Sequence, residues 1–204
     1  MNLYIFDFDG TIADSYPVVV DIIKKYYKSL GIKDISSFEE ERIRNMSSKQ
    51  IIKNLSIPYY KIPSFVSKIR KMLKSEIERI NMISGVSDML FELNKENKLI
   101  VLTSNSEGNV KYFCRKFNID FFDQINTERS LFGKADIIRK IIKNDNAQYN
   151  GIYYIGDETR DIDAAKKAGI KSVAVSWGYS HRDILEKHNP DFIINSPKEL
   201  LDII

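Results

Sequence analysis

The sequence predicts an α/β fold: a parallel sheet with an all-helical block inserted behind its first strand. Three observations carry this reading. Short unbroken apolar runs at residues 3–6, 99–102 and 152–155 read as strands buried on both faces. Stretches of helical period separate the later runs, as in repeated strand–helix units. Residues 15–81 carry helical signals alone.

In chain order, Leu3-Tyr4-Ile5-Phe6 is the first strand, followed by Asp7-Phe8-Asp9-Gly10-Thr11. Asp7 falls at the carboxyl end of the strand, where open α/β sheets bind ligands. Asp7 and Asp9 are two residues apart, so in extended backbone they point the same way. Two close carboxylates repel unless a cation or a shared proton intervenes, which suits a hard, oxygen-liganded ion such as Mg²⁺. Gly10 lets the chain turn away.

Val18, Val19, Ile22, Ile23, Tyr26, Tyr27 and Leu30 then recur at helical spacing, and Gly31 follows as a stop signal. Residues 37–45 are charged and amphipathic, and Ser47 or Ser48 caps a helix through about Leu55. Phe65, Ile69, Met72, Leu73, Ile77 and Ile80 trace one face of a long helix. Residues 83–86 read as a linker into a helix over 86–96. The strand at 99–102 ends in Thr103-Ser104-Asn105-Ser106, and Val110, Phe113, Cys114 and Phe117 mark the next helix face. Residues 121–125 read as a short strand, Lys134 opens a helix, and 152–155 is a strand ending in Gly156-Asp157. A helix over 160–168 stops at Gly169; strands at 171–175 and 192–194 and a short helix over 198–204 finish the chain. The economical arrangement is a sheet domain of residues 1–14 and 82–204, with 15–81 as a cap inserted beside the ligand-binding edge. The connections near 14–15 and 81–85 serve as hinges.

Composition bounds the function. A chain of 204 residues with 43% hydrophobic and 29% charged content suits one or two soluble domains. The formal net charge of +3, from 31 Lys+Arg against 28 Asp+Glu, is too balanced to imply nucleic acid or an anionic membrane. One cysteine makes no internal disulfide, no run is long enough to span a membrane, and no basic-then-apolar leader precedes the first strand. A cytoplasmic monomer or homodimer is expected.

The strand ends carry complementary groups. The first delivers Asp7 and Asp9, the second Thr103 and Ser104, and the one at 152–155 delivers Asp157 with Glu158 and Asp161 behind. Lys134 at a helix start opposes the helix dipole, and a phosphate supplies a reason for it to be there. These are the parts phosphoryl chemistry needs: a carboxylate nucleophile, a proton carrier, and cations and donors for the phosphoryl oxygens.

On these residues the chain resembles the haloacid dehalogenase superfamily. Asp7-Phe8-Asp9-Gly10-Thr11 resembles its first motif, Thr103 the second, Lys134 the third and 156–161 the fourth. The insertion, and Trp177-Gly178, are similar to the phosphoglycolate phosphatase-like subgroup. The resemblance implies a Rossmann-like core with a helical cap. It makes Asp7 the nucleophile and a Mg²⁺ ligand, and Asp9 the general acid/base, binding Mg²⁺ through its main-chain carbonyl. It makes Thr103 and Lys134 phosphate binders with the Ser104 and Asn105 backbone nearby, Asp157 the acidic Mg²⁺ ligand, and Asp161 a carboxylate positioning waters or Lys134. Dehalogenases of the superfamily lack the second aspartate of the first motif, so Asp9 argues for phosphoester chemistry. The expected activity is Mg²⁺-dependent hydrolysis of a small phosphomonoester (phosphoglycolate-like, a sugar phosphate or a nucleotide) through an aspartyl phosphate. A phosphomutase of the β-phosphoglucomutase type uses the same core residues, and a phosphorylatable signalling domain is the non-enzyme alternative. Cys114 is expected in the core, Glu158 in solvent, His181 and His188 at the surface, and Trp177 in packing. Arg42, Arg44, Asn45 and Lys49 of the cap are candidates to meet the substrate's other end.

Overall fold

The computed structural model describes residues 1–32, 44, 46, 48–128 and 133–203. Six parallel strands form one sheet: β1 (Leu3–Phe6), β4 (Lys98–Thr103), β5 (Gln124–Thr127), β6 (Ile152–Gly156), β7 (Lys171–Val175) and β8 (Phe192–Ile194). Their spatial order is β5-β4-β1-β6-β7-β8. β1 lies between β4 and β6, with Phe6 level with Val101 on one side and Ile155 on the other.

The central strands are largely apolar because each face is covered by helices. Successive side chains of a strand point to opposite faces. Tyr4, Phe6, Leu99 and Val101 therefore join one core, under α4 (Val86–Asn94), α5 (Glu107–Phe117) and α9 (Glu199–Asp202). Leu3, Ile5, Ile100 and Leu102 join the other, under α6 (Lys134–Asn144) and α7 (Thr159–Ala168). α8 (Arg182–Glu186) sends Leu185 into a small cluster with Ile162 and Ala174. Burying each such aliphatic side chain contributes about 1.5–3 kcal/mol.

Between β1 and β4 the chain makes α1 (Tyr16–Leu30), α2 (Ser48–Asn54) and α3 (Ile62–Ser75), with α1 packed on α3. Leu30, Ile32, Leu55, Ile57 and Ile62 build a separate apolar cluster there. Val18, Ile22 and Leu73, at the sheet-proximal ends, join the larger core instead. The helical segment expected at 37–45 lies outside the described residues, apart from Arg44.

Three expectations shift. The long helix through Ile80 ends at Ser75, whose hydroxyl donates to the Met72 carbonyl. A 3₁₀ turn at Ile77–Arg79 then drops Ile77 and Ile80 into the sheet core. The strand expected at 121–125 begins later, at Gln124, because Phe121 and Phe122 pack on the core from the preceding loop. The two connections to the helical insertion pair with each other: β2 (Ala13–Asp14) and β3 (Asn81–Met82) form an antiparallel ribbon, Ala13 opposite Met82.

Phe8 packs edge-on against Phe113 at 5.0 Å, and Phe113 against Phe117 at 4.6 Å, so the turn after β1 rests on α5. Phe113→Ala is expected to destabilise the fold by about 3–5 kcal/mol, measured by equilibrium urea unfolding.

Candidate active site

The carboxyl ends of β4, β1 and β6 stand side by side. From β4 the chain runs through α5 outward to β5; from β6 it runs through α7 outward to β7 on the other side. A crevice opens where connections diverge in this way. Asp7 follows β1, Thr103 ends β4 and Asp157 follows β6, so the topology gathers the groups predicted at separate strand ends.

Lys134 ties them together. It opens α6 after Gly133, and its ammonium lies 2.7 Å from Asp7 Oδ2 and 2.8 Å from Asp161 Oδ1. All three side chains are buried, and the Tyr154 ring lies under the ammonium at 5.3 Å. The second oxygen of Asp161 accepts the Glu158 N–H at 3.0 Å, closing the first turn of α7. Asp161 therefore both caps its helix and holds Lys134.

Asp157 is clamped from two loops. Its Oδ1 accepts from the Thr11 hydroxyl at 2.9 Å and its Oδ2 from the Tyr179 N–H at 2.7 Å. A Cβ at Gly10 or Gly178 would run into the Asp157 side chain, and Gly10 also has φ of 81°. Trp177 donates from Nε1 to the Thr11 carbonyl at 3.2 Å, which fixes the turn.

Asp9 has other surroundings. The strand itself ends at Phe6, one residue before Asp7. Asp7, Asp157 and Asp161 bring carboxylate oxygens within 4.8 Å of one another, and Asp9 stands outside that group. It accepts from Asn105 Nδ2 at 3.1 Å. The Asn105 oxygen is held by the Ser106 N–H and by Asn109 Nδ2, both at 2.8 Å. Thr103 is buried, and its hydroxyl oxygen accepts the Asn105 N–H at 2.9 Å. Ser104 and Asn105 line the cleft beside Asp9.

The electrostatics follow from burial. Burial pushes the Asp7 carboxyl up to about 6, while Lys134 pulls it back and Asp161 adds to the rise. Burial, then the charges of Glu158, Asp7 and Asp161, hold Asp157 well above the ordinary carboxylate range. Burial also raises Asp9, against hydrogen bonds from Ser15 and Asn105. Burial works against the Lys134 charge, yet Asp161 and Asp7 outweigh it and keep its pKa above the ordinary value. A group of buried, mutually repelling carboxylates offering oxygen ligands alone fits a hard divalent cation such as Mg²⁺.

Several residues escaped sequence reasoning. Glu158 is no solvated neighbour: it is mostly buried and ion-paired with Arg160. Thr11 and Tyr179 hold Asp157, and the side chain of Asn105, not only its backbone, faces Asp9. The placement of Arg160 between Asp157 and Asp161 was the one available signal for its presence here. Arg44 does not line the cleft beside Asp9; it donates to the carbonyls of Trp177 and Gly178 and stacks over Tyr16 at 4.9 Å. Arg42 and Asn45, and the side chain of Lys49, lie outside the described residues. Cys114 is buried in the core, where burial pushes its thiol up to about 11. His188 meets Asp163 at 3.2 Å, and His181 is half-buried with its N–H on the Arg44 carbonyl.

The chain is similar to known proteins over its full length. A phosphoglycolate phosphatase of Synechococcus elongatus is 28% identical, the match covering 100% of this chain and 97% of that protein. The pyrophosphatase PpaX of Bacillus mycoides is 23% identical over 100% of this chain and 97% of its own. A solved haloacid dehalogenase-like family hydrolase from Streptococcus pneumoniae superposes with a TM-score of 0.75 at 24% identity, covering 100% of this chain and 98% of that one, a likeness of fold. No helix among the described residues is long and apolar enough to cross a membrane. The family model for haloacid dehalogenase-like hydrolases matches residues 4–175, and with its motif residues gathered at one crevice the chain belongs to that family.

Proposed function

We propose that the protein is a Mg²⁺-dependent phosphatase acting on a small phosphomonoester through an aspartyl phosphate. The observation that carries this reading is the buried Asp7–Lys134–Asp161 chain set against Asp157 at the ends of β1 and β6. The named activities of the relatives, a phosphoglycolate phosphatase and a pyrophosphatase, are both cleavages of a phosphoryl bond.

In this reading the Asp7 carboxylate attacks phosphorus and the ester P–O bond breaks. The leaving oxygen takes the proton of the Asp9 carboxyl, whose raised pKa suits it to carry one. Asp9 then accepts a proton from water as that water attacks phosphorus, and Asp7 departs with its electrons. Thr103 and Lys134 bind the phosphoryl oxygens with the Ser104 and Asn105 backbone nearby, and Asp161 keeps Lys134 in place. The side chains of Asp7 and Asp157 and the carbonyl of Asp9 would hold the cation, which when bound would offset charge on the phosphoryl group. Residues 15–81 act as the cap on a core of 1–14 and 82–204, and their separate apolar cluster supports the division. The paired β2–β3 ribbon is the hinge, and closure excludes bulk water. We place this activity in the cytoplasm, in a monomer or homodimer.

Asp7→Asn is expected to lower kcat for p-nitrophenyl phosphate with Mg²⁺ by at least about 10³-fold, and Asp9→Asn by about 10²–10⁴-fold, in steady-state assays. Wild-type turnover retained in Asp7→Asn would overturn the nucleophile assignment. Gly178→Ala displaces Asp157 and is expected to weaken Mg²⁺ binding by about 10–100-fold, read by isothermal titration calorimetry.

A further inference from the structure

The loop after β7 meets Asp157 on one side and the helical insertion on the other. Ser176 anchors its start, with its N–H on the Ile194 carbonyl at 3.0 Å. Trp177, Gly178 and Tyr179 then face the turn after β1 and the Asp157 side chain, through the contacts described above. On the insertion side stands Arg44. Its Nη2 donates to the Trp177 carbonyl at 3.4 Å and to the Gly178 carbonyl. The Arg44 carbonyl accepts the His181 N–H at 3.0 Å, so this residue holds the loop with both side chain and backbone. The guanidinium lies over the Tyr16 ring at 4.9 Å, and Tyr16 meets the Tyr179 ring edge-on at 5.1 Å.

The Gly178 carbonyl and the Tyr179 N–H belong to one peptide group. A trans peptide is planar and points its C=O and N–H in opposite directions. The group therefore bridges two charges: the Arg44 guanidinium on its oxygen and the Asp157 carboxylate on its N–H, the latter at 2.7 Å. A charged partner at each end strengthens both hydrogen bonds. The bridge also settles an orientation. A Cβ at Gly178 would run into Asp157, so the position excludes a side chain. Glycine in turn leaves the backbone beside this peptide loosely restrained. With Arg44 on the carbonyl, the N–H is kept on Asp157; without it, the peptide is free to rotate away. Each carboxylate oxygen has two acceptor sites, so an Asp157 held in this way still has sites for a cation.

We infer that Arg44 is a positioning residue: by holding the 178–179 peptide it sets Asp157 for the divalent cation, and so makes cation affinity depend on docking of the insertion against this loop. The inference rests on the reading of Asp157 as a ligand of that cation. Arg44 does not line the cleft beside Asp9, so its influence on the crevice passes through the loop. Such a coupling is reciprocal, and the bound cation favours the docked insertion by the same factor.

The test is Mg²⁺ binding to the full chain and to Arg44→Gln, by isothermal titration calorimetry. The sign of the change discriminates. Charge alone predicts tighter binding in the variant, because a positive group near a cation site has been removed. Loss of positioning predicts weaker binding, by about fivefold or more. Lys68→Gln, which removes an exposed charge elsewhere on the insertion, should bind Mg²⁺ as the wild type does. Amide exchange followed by NMR reads the peptide directly. In metal-free Arg44→Gln the Tyr179 N–H should exchange about tenfold or more faster than in the wild type, while the amides of β1 and β4 keep their protection. Unchanged or tighter Mg²⁺ binding in Arg44→Gln would overturn the coupling, as would an equal loss in Lys68→Gln. Wild-type protection of the Tyr179 amide in Arg44→Gln would overturn the hold on the peptide. A wild type that binds no Mg²⁺ fells the metal reading itself and the coupling with it, an outcome distinct from a wild type that binds and a variant that binds equally well.

Discussion

The contact of Lys134 with Asp7 and Asp161 is the constraint around which the rest of the chain is arranged. It joins three elements far apart in sequence: the end of β1, the start of α6 and the first turn of α7. Buried ion pairs seldom add stability over apolar packing of the same volume, because desolvation takes back most of the attraction. Removing one partner is far worse, since a buried charge is then left uncompensated, at about 3–5 kcal/mol. The lysine also begins a helix, where the dipole disfavours it. The proposed chemistry gives a reason for such a group in that place, and a fold that supplies the lysine must also supply both carboxylates.

The sheet order makes this possible. β1 is central, so its end is flanked by those of β4 and β6, and sequence positions 7, 103 and 157 stand at neighbouring strand ends without long loops. The turn after β1 has a second duty. Thr11 anchors Asp157, while Gly10 and Gly178 keep their own backbone out of its way. One short segment therefore carries two acids of its own and positions a third from β6. The helical insertion leaves from the same turn, through the β2–β3 ribbon, which fixes its base beside the crevice.

This logic explains what could be read in advance. β1, β4, β6 and β7 were legible because strands covered on both faces become unbroken apolar runs. β5, reading Gln-Ile-Asn-Thr, is an edge strand with no such run, and only pairing with β4 defines it. β2 and β3 have two residues each and exist through each other, a non-local fact. Asp7, Thr103, Lys134, Asp157 and Asp161 stood out because a polar residue at a strand end or a misplaced lysine asks for a reason. Arg70 of α3 lines the cleft beside Asp9 and donates to the Glu128 carbonyl, yet in sequence nothing local tells it from Lys68 or Lys71, where a charged residue normally faces water. Tyr179 contributes a backbone N–H, which no sequence displays.

Asp7 and Asp9 are chemically identical and two residues apart, yet the structure gives them different surroundings. Asp7 has an ammonium at 2.7 Å, which opposes the effect of burial and favours the ionised form that can attack phosphorus. Asp9 has neutral donors instead, the Ser15 hydroxyl and the amide of Asn105, and that amide is itself locked by Ser106 and Asn109. A neutral donor orients a carboxyl group without fixing its charge, which is what a group that gives up and takes back a proton requires. The proposed division of labour between the two acids thus rests on the partners the fold supplies, an ammonium for Asp7 and neutral donors for Asp9.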